Sequence, residues 1–351
     1  MNNNEIGSEF WEIEKGTECG FPEGERSFSF LLSGRTSLDF IIQDIRKERP
    51  FDSVYLPSYC CRTMIRPFLD NGVAVKFYRV SFSEGRFTYD IDPSVPCDAL
   101  LVMQYFGFCT KDVENIILRF NEMRKTVVED ATHSWFSGTP YSPSSDYVLA
   151  SFRKWTGIPA GSAAIKRNGE FHLPPPSKTN ERYIEMRIRA AALKKQFISD
   201  QEGRKERFLD LFNQAEELLE HDYRNYSLPE ELAEQIAALD CRMIAGVRRA
   251  NAAVLVEGLK DCASLELPLL QKEDAPLFVP VFLREQHRRE GLRKHLIENR
   301  VYCPVHWPLS DVHPRSEDSL YGSELSLICD QRYSRREMER VAELVRGFLE
   351  G

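Results

Sequence analysis

The sequence lacks the features that mark a membrane-embedded or secreted protein. None of its apolar runs approaches the ~18 uninterrupted residues that a transmembrane helix requires. Residues 1–5 contain neither the basic stretch nor the apolar stretch of a signal peptide. We therefore expect a cytoplasmic protein with no membrane-bound part.

Cysteine is present, but not in a metal-binding spacing. The nine cysteines are an odd number, and no C-x-x-C pair occurs. This argues against a zinc site and a disulfide framework, and favours reduced thiols in a cytosolic protein. The nine are Cys19, Cys60, Cys61, Cys97, Cys109, Cys241, Cys262, Cys303 and Cys329.

Positively charged residues are fewer than negatively charged ones. Lysine and arginine together number 46, against 54 aspartates and glutamates, which gives a formal net charge of -8. A protein with this balance is not expected to bind nucleic acid through diffuse attraction to phosphates. A small anionic substrate needs only a local positive pocket, so the net charge does not argue against one.

The sequence does contain an alternation of strand-like and helix-like segments after residue 30. With 351 residues, 42% of them hydrophobic and 28% charged, the chain can bury the cores of about two domains. Strands separated by helix-length connections are typical of an α/β domain with a mostly parallel sheet. The predicted strands are residues 53–57, 73–80, 99–104, 126–130, 147–151 and 162–165.

The domain organisation follows from this pattern. Residues 1–30 are predicted to form an N-terminal arm, and residues 31–205 the large α/β domain. Residues 206–351 are predicted to form a smaller α+β domain, whose last helix begins at a capping box of Ser334 and Glu337.

A glycine turn opens the first predicted helix, with Ser33 as its N-cap. The unpaired N–H groups and the positive dipole end at a helix start attract anions. Gly34, Arg35 and Thr36 are therefore candidate ligands of a phosphate group. The alternative is an ordinary capped helix.

An acidic pair closes the strand at 126–130. Asp130 is expected at the carboxyl end of the sheet, where open α/β sheets bind ligands. A carboxylate there can keep the ring nitrogen of pyridoxal phosphate (PLP) protonated, so that the ring withdraws electrons from the substrate carbanion. His133 can stack on this ring or hydrogen-bond to it. The alternative is an exposed strand-end acid with a surface histidine.

Lys154 comes just after the next predicted strand. A lysine there can hold PLP as a Schiff base and carry a proton during the reaction. Ser151 is a candidate phosphate ligand, and Arg153 is an adjacent cation. The alternative is a basic surface turn. The order of anion turn, acid and lysine, each at a strand end or helix start, is more specific than any one of them.

These residues resemble the DegT/StrS-type PLP-dependent aminotransferases, which act on nucleotide-linked keto sugars. That family belongs to fold type I of the aspartate aminotransferase superfamily. The match covers about residues 30–170. The segments that carry it are residues 34–38, 57–61, 104–107, 129–133 and 151–154.

The resemblance implies a large domain with a mostly parallel, seven-stranded-type sheet between helices, and PLP as the cofactor. It implies Lys154 and Asp130 as catalytic residues. The position that stacks on the ring in the family corresponds to Cys61, so Tyr59 and His133 are alternative stacking partners. The further cofactor contacts that it implies are Gly34, Arg35, Thr36, Tyr59, Cys61, Gln104, His133 and Ser151.

The resemblance also implies a reaction and an assembly. An amino group would pass from an amino-acid donor to a keto sugar, nucleotide-linked, in cell-surface polysaccharide or amino-sugar biosynthesis. A homodimer with active sites at the subunit interface is implied. His306 and Trp307 either line the substrate cleft or pack the small domain. Two alternatives remain: a PLP enzyme of elimination or dehydration, and a catalytically silent protein of this fold that binds or regulates a partner.

Overall fold

The computed structural model describes residues 5–16, 27–110, 112–200, 204–313 and 319–351. Contacts divide the chain into two compact units, each made of several chain segments. The predicted boundaries at residues 30 and 205 divide the chain into domains that follow one another in sequence. These boundaries stay a prediction. The first unit consists of Met1–Ser8, Asp52–Ser145 and Arg242–Gly351, and the second of Glu9–Phe51 and Asp146–Cys241.

Strands and helices alternate along most of the described chain. The strands are β1 (Ile6–Gly7), β2 (Ser27–Leu31), β3 (Ser53–Pro57), β4 (Ala74–Ser83), β5 (Arg86–Asp90), β6 (Ala99–Met103), β7 (Thr126–Asp130), β8 (Tyr147–Ser151), β9 (Ser162–Lys166), β10 (Leu265–Glu266), β11 (Val279–Leu283), β12 (Val301–Tyr302) and β13 (Glu324–Leu327). The helices are α1 (Gly34–Glu48), α2 (Arg62–Asp70), α3 (Asp112–Glu122), α4 (Glu181–Asp200), α5 (Lys205–His221), α6 (Glu230–Ala237), α7 (Cys241–Leu259), α8 (Arg288–Glu298), α9 (Ser319–Ser323) and α10 (Arg335–Glu350).

Five strands of the first unit form a sheet in the order β7-β6-β3-β4-β5. Strand β3 is parallel to β4 and β6, and β6 is parallel to β7, whereas β5 is antiparallel to β4. Every residue of β6 is buried, as expected for an apolar strand covered on both faces. Because parallel strands end at the same edge, the residues after β3, β6 and β7 share that edge.

The first unit also contains a small antiparallel sheet in the order β10-β11-β13. Its apolar core includes Leu255 from α7, Val281 from β11 and Val341 from α10. Helix α10 begins at the predicted capping box, where the Ser334 N–H donates to Glu337 Oε2 at 2.9 Å. That prediction is confirmed.

In the second unit the strand order is β2-β9-β8, and β9 is antiparallel to both neighbours. Helix α1 packs on β8 and β9. Helices α4 and α5 pack on each other through Ala190, Phe208 and Phe212. Together the two groups contain eight strands, against the seven-stranded type expected, and the mixed α/β class is confirmed.

One expectation about cysteine is wrong. Cys241 is disulfide-bonded, whereas the sequence analysis favoured reduced thiols. Spacing along the sequence does not show which cysteines folding brings together. Cys19 lies outside the described residues. The free cysteines in the described part of the chain are Cys60, Cys61, Cys97, Cys109, Cys262, Cys303 and Cys329.

Within the described ranges, no helix combines the length and the apolar character needed to cross a lipid bilayer.

Candidate functional site

Asp130 is the last residue of β7, at the sheet edge where the sequence predicts it. The four residues before it are buried, and Asp130 itself is half-buried. Its Oδ1 accepts the Thr132 N–H at 2.8 Å, a local contact that turns the chain after the strand. The strand end thus presents a carboxylate of restricted orientation.

His133 follows in the same turn and is 1% exposed. Its Nδ1 accepts the Phe106 N–H at 3.2 Å. In the neutral ring the proton is therefore on Nε2, which makes that nitrogen a donor. The ring stacks on Trp307, with centroids 5.8 Å apart and planes inclined by 22°. Folding thus brings together two predicted site residues that are distant in sequence.

The backbone conformation after β6 orients the Phe106 N–H toward His133 Nδ1. Phe106 and Gly107 both have positive φ, at 56° and 83°. A Cβ at Gly107 would approach the Ala275 carbonyl oxygen to 2.2 Å, so no other residue fits without displacing the backbone. The Phe106 carbonyl in turn accepts the Leu277 N–H at 2.8 Å. This turn positions His133 through the backbone.

His306 belongs to a hydrogen-bonded chain that the sequence analysis missed. The carboxylate of Glu324, 0% exposed, accepts the His306 backbone N–H at 2.6 Å and the Ser326 hydroxyl at 2.5 Å. The Ser326 oxygen lies 2.8 Å from His306 Nδ1. The serine hydroxyl thus links the His306 ring to Glu324. Burial raises the pKa of Glu324 to about 8.

A signal for this chain was present in the sequence. Glu324 and Ser326 are two residues apart, and alternate residues of a strand share a face. The segment was not predicted as a strand because a buried glutamate and serine interrupt its apolar character.

Two of the residues considered for stacking on the ring lie after β3: Cys61, at the family's stacking position, and Tyr59, an alternative to it. The Tyr59 ring is 0% exposed and meets the edge of Trp307 at a centroid distance of 5.1 Å. Cys61 is the N-cap residue of α2, and its Sγ lies 3.0 Å from Thr63 Oγ1. Tyr59 therefore shares the aromatic cluster of Trp307.

Gln104, the predicted ring-flanking residue, is buried after β6. Its Oε1 accepts the Thr110 N–H at 3.3 Å, and its Nε2 donates to Glu129 Oε1 at 3.5 Å. Both ends of the amide thus have partners within the first unit. Its contact with a cofactor stays a prediction.

In the second unit, α1 begins at the predicted glycine turn. Ser33 Oγ accepts the Thr36 N–H at 3.3 Å, so the predicted N-cap is confirmed. The Thr36 hydroxyl donates to the Tyr223 carbonyl at 2.7 Å. A Cβ at Gly34 would lie 3.6 Å from Ser151 Cβ, so the helix start adjoins the end of β8. Folding brings together two of the predicted phosphate ligands.

Lys154 ends a short 3₁₀-helix (Phe152–Lys154) that follows β8 directly. The side chain is half-buried and makes no hydrogen bond or ion pair with the residues that the structure describes. The loop that follows Lys154 is held in place by a contact with the segment around Glu12. The Gly157 N–H donates to the Glu12 carbonyl at 2.7 Å, and a Cβ there would approach that oxygen to 2.2 Å. The Lys154 amine is thus attached to a backbone with little conformational freedom.

Arg153 does not act as a free cation beside Lys154. Its Nη1 and Nη2 donate to the two carboxylate oxygens of Glu216 on α5, at 2.6 and 3.3 Å. Such a two-point contact fixes the guanidinium. Arg35 also reaches Glu216, at 3.5 Å. No pattern in the sequence predicts this pairing.

Asp130 belongs to the first unit and Lys154 to the second. Their predicted pairing across one cofactor ring stays a prediction. In the described part of the chain, no group of three or more histidine, cysteine, aspartate or glutamate residues has the arrangement of a metal site.

Comparisons with known proteins give a match at the level of structure. Neither the protein-family models nor the curated proteins contain a match. Among solved structures, the chain is similar to Helicobacter pylori PseC, an aminotransferase involved in the biosynthesis of pseudoaminic acid. The identity is 14% over 98% of this chain and 100% of that chain, with a TM-score of 0.69.

Two further solved structures are similar. A DegT DnrJ EryC1 StrS aminotransferase from Brucella abortus is 15% identical over 93% of this chain and 87% of that chain, with a TM-score of 0.62. E. coli GDP-4-keto-6-deoxy-D-mannose-3-dehydratase, which carries bound hydrated PLP, is 15% identical over 92% of this chain and 88% of that chain, with a TM-score of 0.62. These likenesses confirm the predicted fold type.

Proposed function

We propose that this protein is a PLP-dependent aminotransferase that moves an amino group from an amino-acid donor to a nucleotide-linked keto sugar. The observation that carries the proposal is Lys154. It is a half-buried amine without a partner in the described chain, held directly after β8 in a chain with this fold. The PseC and Brucella structures, which share the fold, are aminotransferases.

The residues of each unit fit the cofactor. The second unit supplies an amine at Lys154, and a helix start where Gly34 adjoins Ser151. The first unit supplies the strand-end carboxylate of Asp130 and the Nε2–H donor of His133. When bound, PLP would stabilise negative charge on the substrate carbon.

Each residue then has one role. Lys154 would hold the cofactor aldehyde and carry a proton to and from the substrate carbon. Asp130 would hold the proton on the ring nitrogen. His133 would donate from Nε2 to the ring, since one of its faces is already stacked on Trp307. The N–H groups of Gly34 and Arg35, which have no partner within the helix, would bind phosphate.

Dehydration is a second candidate function. It is favoured by the structural similarity to the E. coli dehydratase, which carries PLP. Product analysis with a keto-sugar nucleotide and glutamate separates the two. An amino sugar and 2-oxoglutarate support transamination, whereas a deoxy sugar supports dehydration.

We also propose a cytoplasmic homodimer, as the family resemblance implies. Light scattering of the purified full chain tests the dimer, because a particle mass of one chain contradicts it.

The decisive experiment is a visible spectrum of the protein with PLP, before and after Lys154→Ala. We expect the absorbance of lysine-bound cofactor in the wild type and its loss in the variant. Transfer activity should fall on the order of 10³-fold, because both the attachment and the proton carrier are removed. Lys195→Ala, at an exposed ion pair with Glu12 on the same unit, is the matched control and should keep both.

Two results would contradict the proposal. Persistence of the band in Lys154→Ala shows that another lysine holds the cofactor. Absence of any cofactor absorbance in the wild type favours a catalytically silent binding protein.

A further inference from the structure

The second unit gathers three arginines around one carboxylate. Arg153 pairs with Glu216 at 2.6 Å, and Arg35 and Arg187 each reach Glu216 at 3.5 Å. Arg187 also pairs with Glu9 at 2.9 Å. We call Arg35, Arg153 and Arg187 the arginine cluster. Its members come from the start of α1, the turn before Lys154, and α4.

The arginine cluster holds more positive charge than these partners neutralise. Three guanidiniums face the carboxylates of Glu216 and Glu9, which leaves one positive charge in excess. Glu220 on α5 also attracts Arg35, but its side chain is exposed, so water screens it. Arg35 is 9% exposed, and burial lowers its pKa against the attraction of Glu216. A buried cation with so distant a partner calls for another anion.

The same place contains hydrogen-bond donors without acceptors. Tyr183 on α4 is 0% exposed, and its hydroxyl has no hydrogen-bond partner in the part of the chain that the structure describes. Arg187 is 4% exposed, its Nε has no hydrogen-bond partner among the described residues, and its Nη1 lies 3.5 Å from Glu216 without a hydrogen bond. Tyr183 lies one helical turn before Arg187 on α4, and it interacts electrostatically with Arg35 and Arg153. Buried donors of this kind are normally satisfied.

We propose that Tyr183, Arg187 and Arg35 bind a phosphate group beside the turn that carries Lys154. Donors that approach from α1 and α4 suit the several oxygens of a tetrahedral phosphate better than the two coplanar oxygens of a carboxylate. Arg153 and Glu216, whose side chains are 21% and 38% exposed, give the site access to solvent.

The phosphate has two possible sources, the cofactor itself or a separate phosphate ester such as a nucleotide. Phosphate binding as such rests on the arginine cluster and Tyr183 alone. Assigning the phosphate to the cofactor rests on the proposed function.

Calorimetric titration of the full chain with inorganic phosphate tests the site. We expect binding that weakens about tenfold in Tyr183→Phe, and at least as much in Arg187→Gln, because each loses a hydrogen bond to a charged group. Arg189→Gln, at an exposed arginine on α4, is the control and should bind as the wild type does.

A stability measurement separates binding from a structural role. Without phosphate, Tyr183→Phe should unfold at the same temperature as the wild type or higher, because it removes a buried hydroxyl that has no hydrogen-bond partner among the described residues. A lower unfolding temperature would show that the hydroxyl is already satisfied in the fold, and this overturns the proposal.

The source is identified by comparing PLP with pyridoxal, which lacks the phosphate. If Tyr183→Phe reduces the preference for PLP about tenfold, the cofactor supplies the phosphate. If that preference is unchanged while the PLP-loaded protein loses inorganic phosphate binding, the phosphate belongs to another ligand. Both outcomes support the site.

Two outcomes overturn it: no measurable phosphate binding in the wild type, and tighter binding of glutamate than of phosphate. If PLP shows no Lys154-dependent absorbance but inorganic phosphate binds as expected, the proposed function fails and the phosphate site stands.

Discussion

Buried charged groups in the two units include some that neutral donors hold and some that an opposite charge holds. In the first unit, Glu129 and Glu324 are both 0% exposed and are held by neutral donors. Glu129 accepts the Ser142 N–H at 2.8 Å and the Ser145 hydroxyl at 2.7 Å, and Glu324 accepts the Ser326 hydroxyl at 2.5 Å. Burial raises the pKa of Glu129 to about 7 and that of Glu324 to about 8.

In the second unit, buried charges are paired with opposite charges. Lys166 and Asp44 are 4% and 0% exposed and lie 2.9 Å apart. Asp44 also accepts the Tyr147 hydroxyl at 2.9 Å. Although burial opposes it, Arg187 keeps the pKa of Glu9 below its usual value. Glu129 and Glu324 should therefore respond to pH near neutrality, and the Lys166–Asp44 pair to the loss of one partner.

The largest effect should come from breaking a pair in the second unit. Lys166→Met leaves Asp44 buried without its cation, and we expect a loss of about 3 kcal/mol in the free energy of unfolding, measured with urea. Lys195→Met, at the exposed pair with Glu12, should lose less than about 0.5 kcal/mol. Equal losses in the two variants would show that burial does not strengthen the Lys166–Asp44 pair.

A smaller effect should come from Glu324→Gln in the first unit. The unfolded carboxyl titrates near 4.5 and the folded one near about 8, so the folded state binds the extra proton between these values. Wild-type stability should therefore fall as pH rises through this window, and the variant should lack that part of the fall. At about pH 8.5 we expect the variant to be more stable on the order of 1–3 kcal/mol.

The measurement is urea unfolding of both proteins across that pH window. Glu129 is present in both proteins, so its contribution to the pH dependence of stability cancels when the two proteins are compared. A wild type and variant with parallel pH dependence would show that Glu324 is ionised and stabilised in the folded state.

The smallest effect should come from an exposed pair of the first unit. Arg66 and Asp70 lie 2.6 Å apart at an i,i+4 spacing on α2, and Arg66 is 46% exposed. Arg66→Gln should change the free energy of unfolding by about 0.3 kcal/mol, by urea unfolding. A loss above about 1 kcal/mol would show that exposure is not what separates weak pairs from strong ones here.

The strands that position the site could be predicted because burial makes their residues apolar. β3, β7 and β8 have the predicted bounds, and Asp130 and Lys154 follow from the ends of β7 and β8. β5 was missed because polar and apolar residues mix in it, and β2 because it lies partly within the predicted arm.

The contacts around the site could not be predicted. Arg153 and Glu216 are 63 residues apart, and either side chain alone has the character of a solvated surface residue. The stacking of His133 on Trp307 likewise depends on folding. Sequence patterns show which residues end a strand, but not which distant side chain meets them.

The arginine cluster has a consequence for the order in which the molecule folds. Arg35 meets Glu216 across 181 residues, and Arg187 meets Glu9 across 178. We expect contacts between such distant segments to form late, because closing the long loops costs entropy before any contact forms. Interactions made after the transition state slow unfolding more than they speed folding. An anion bound by these arginines would therefore lengthen the lifetime of the native state and leave the rate of its formation almost unchanged.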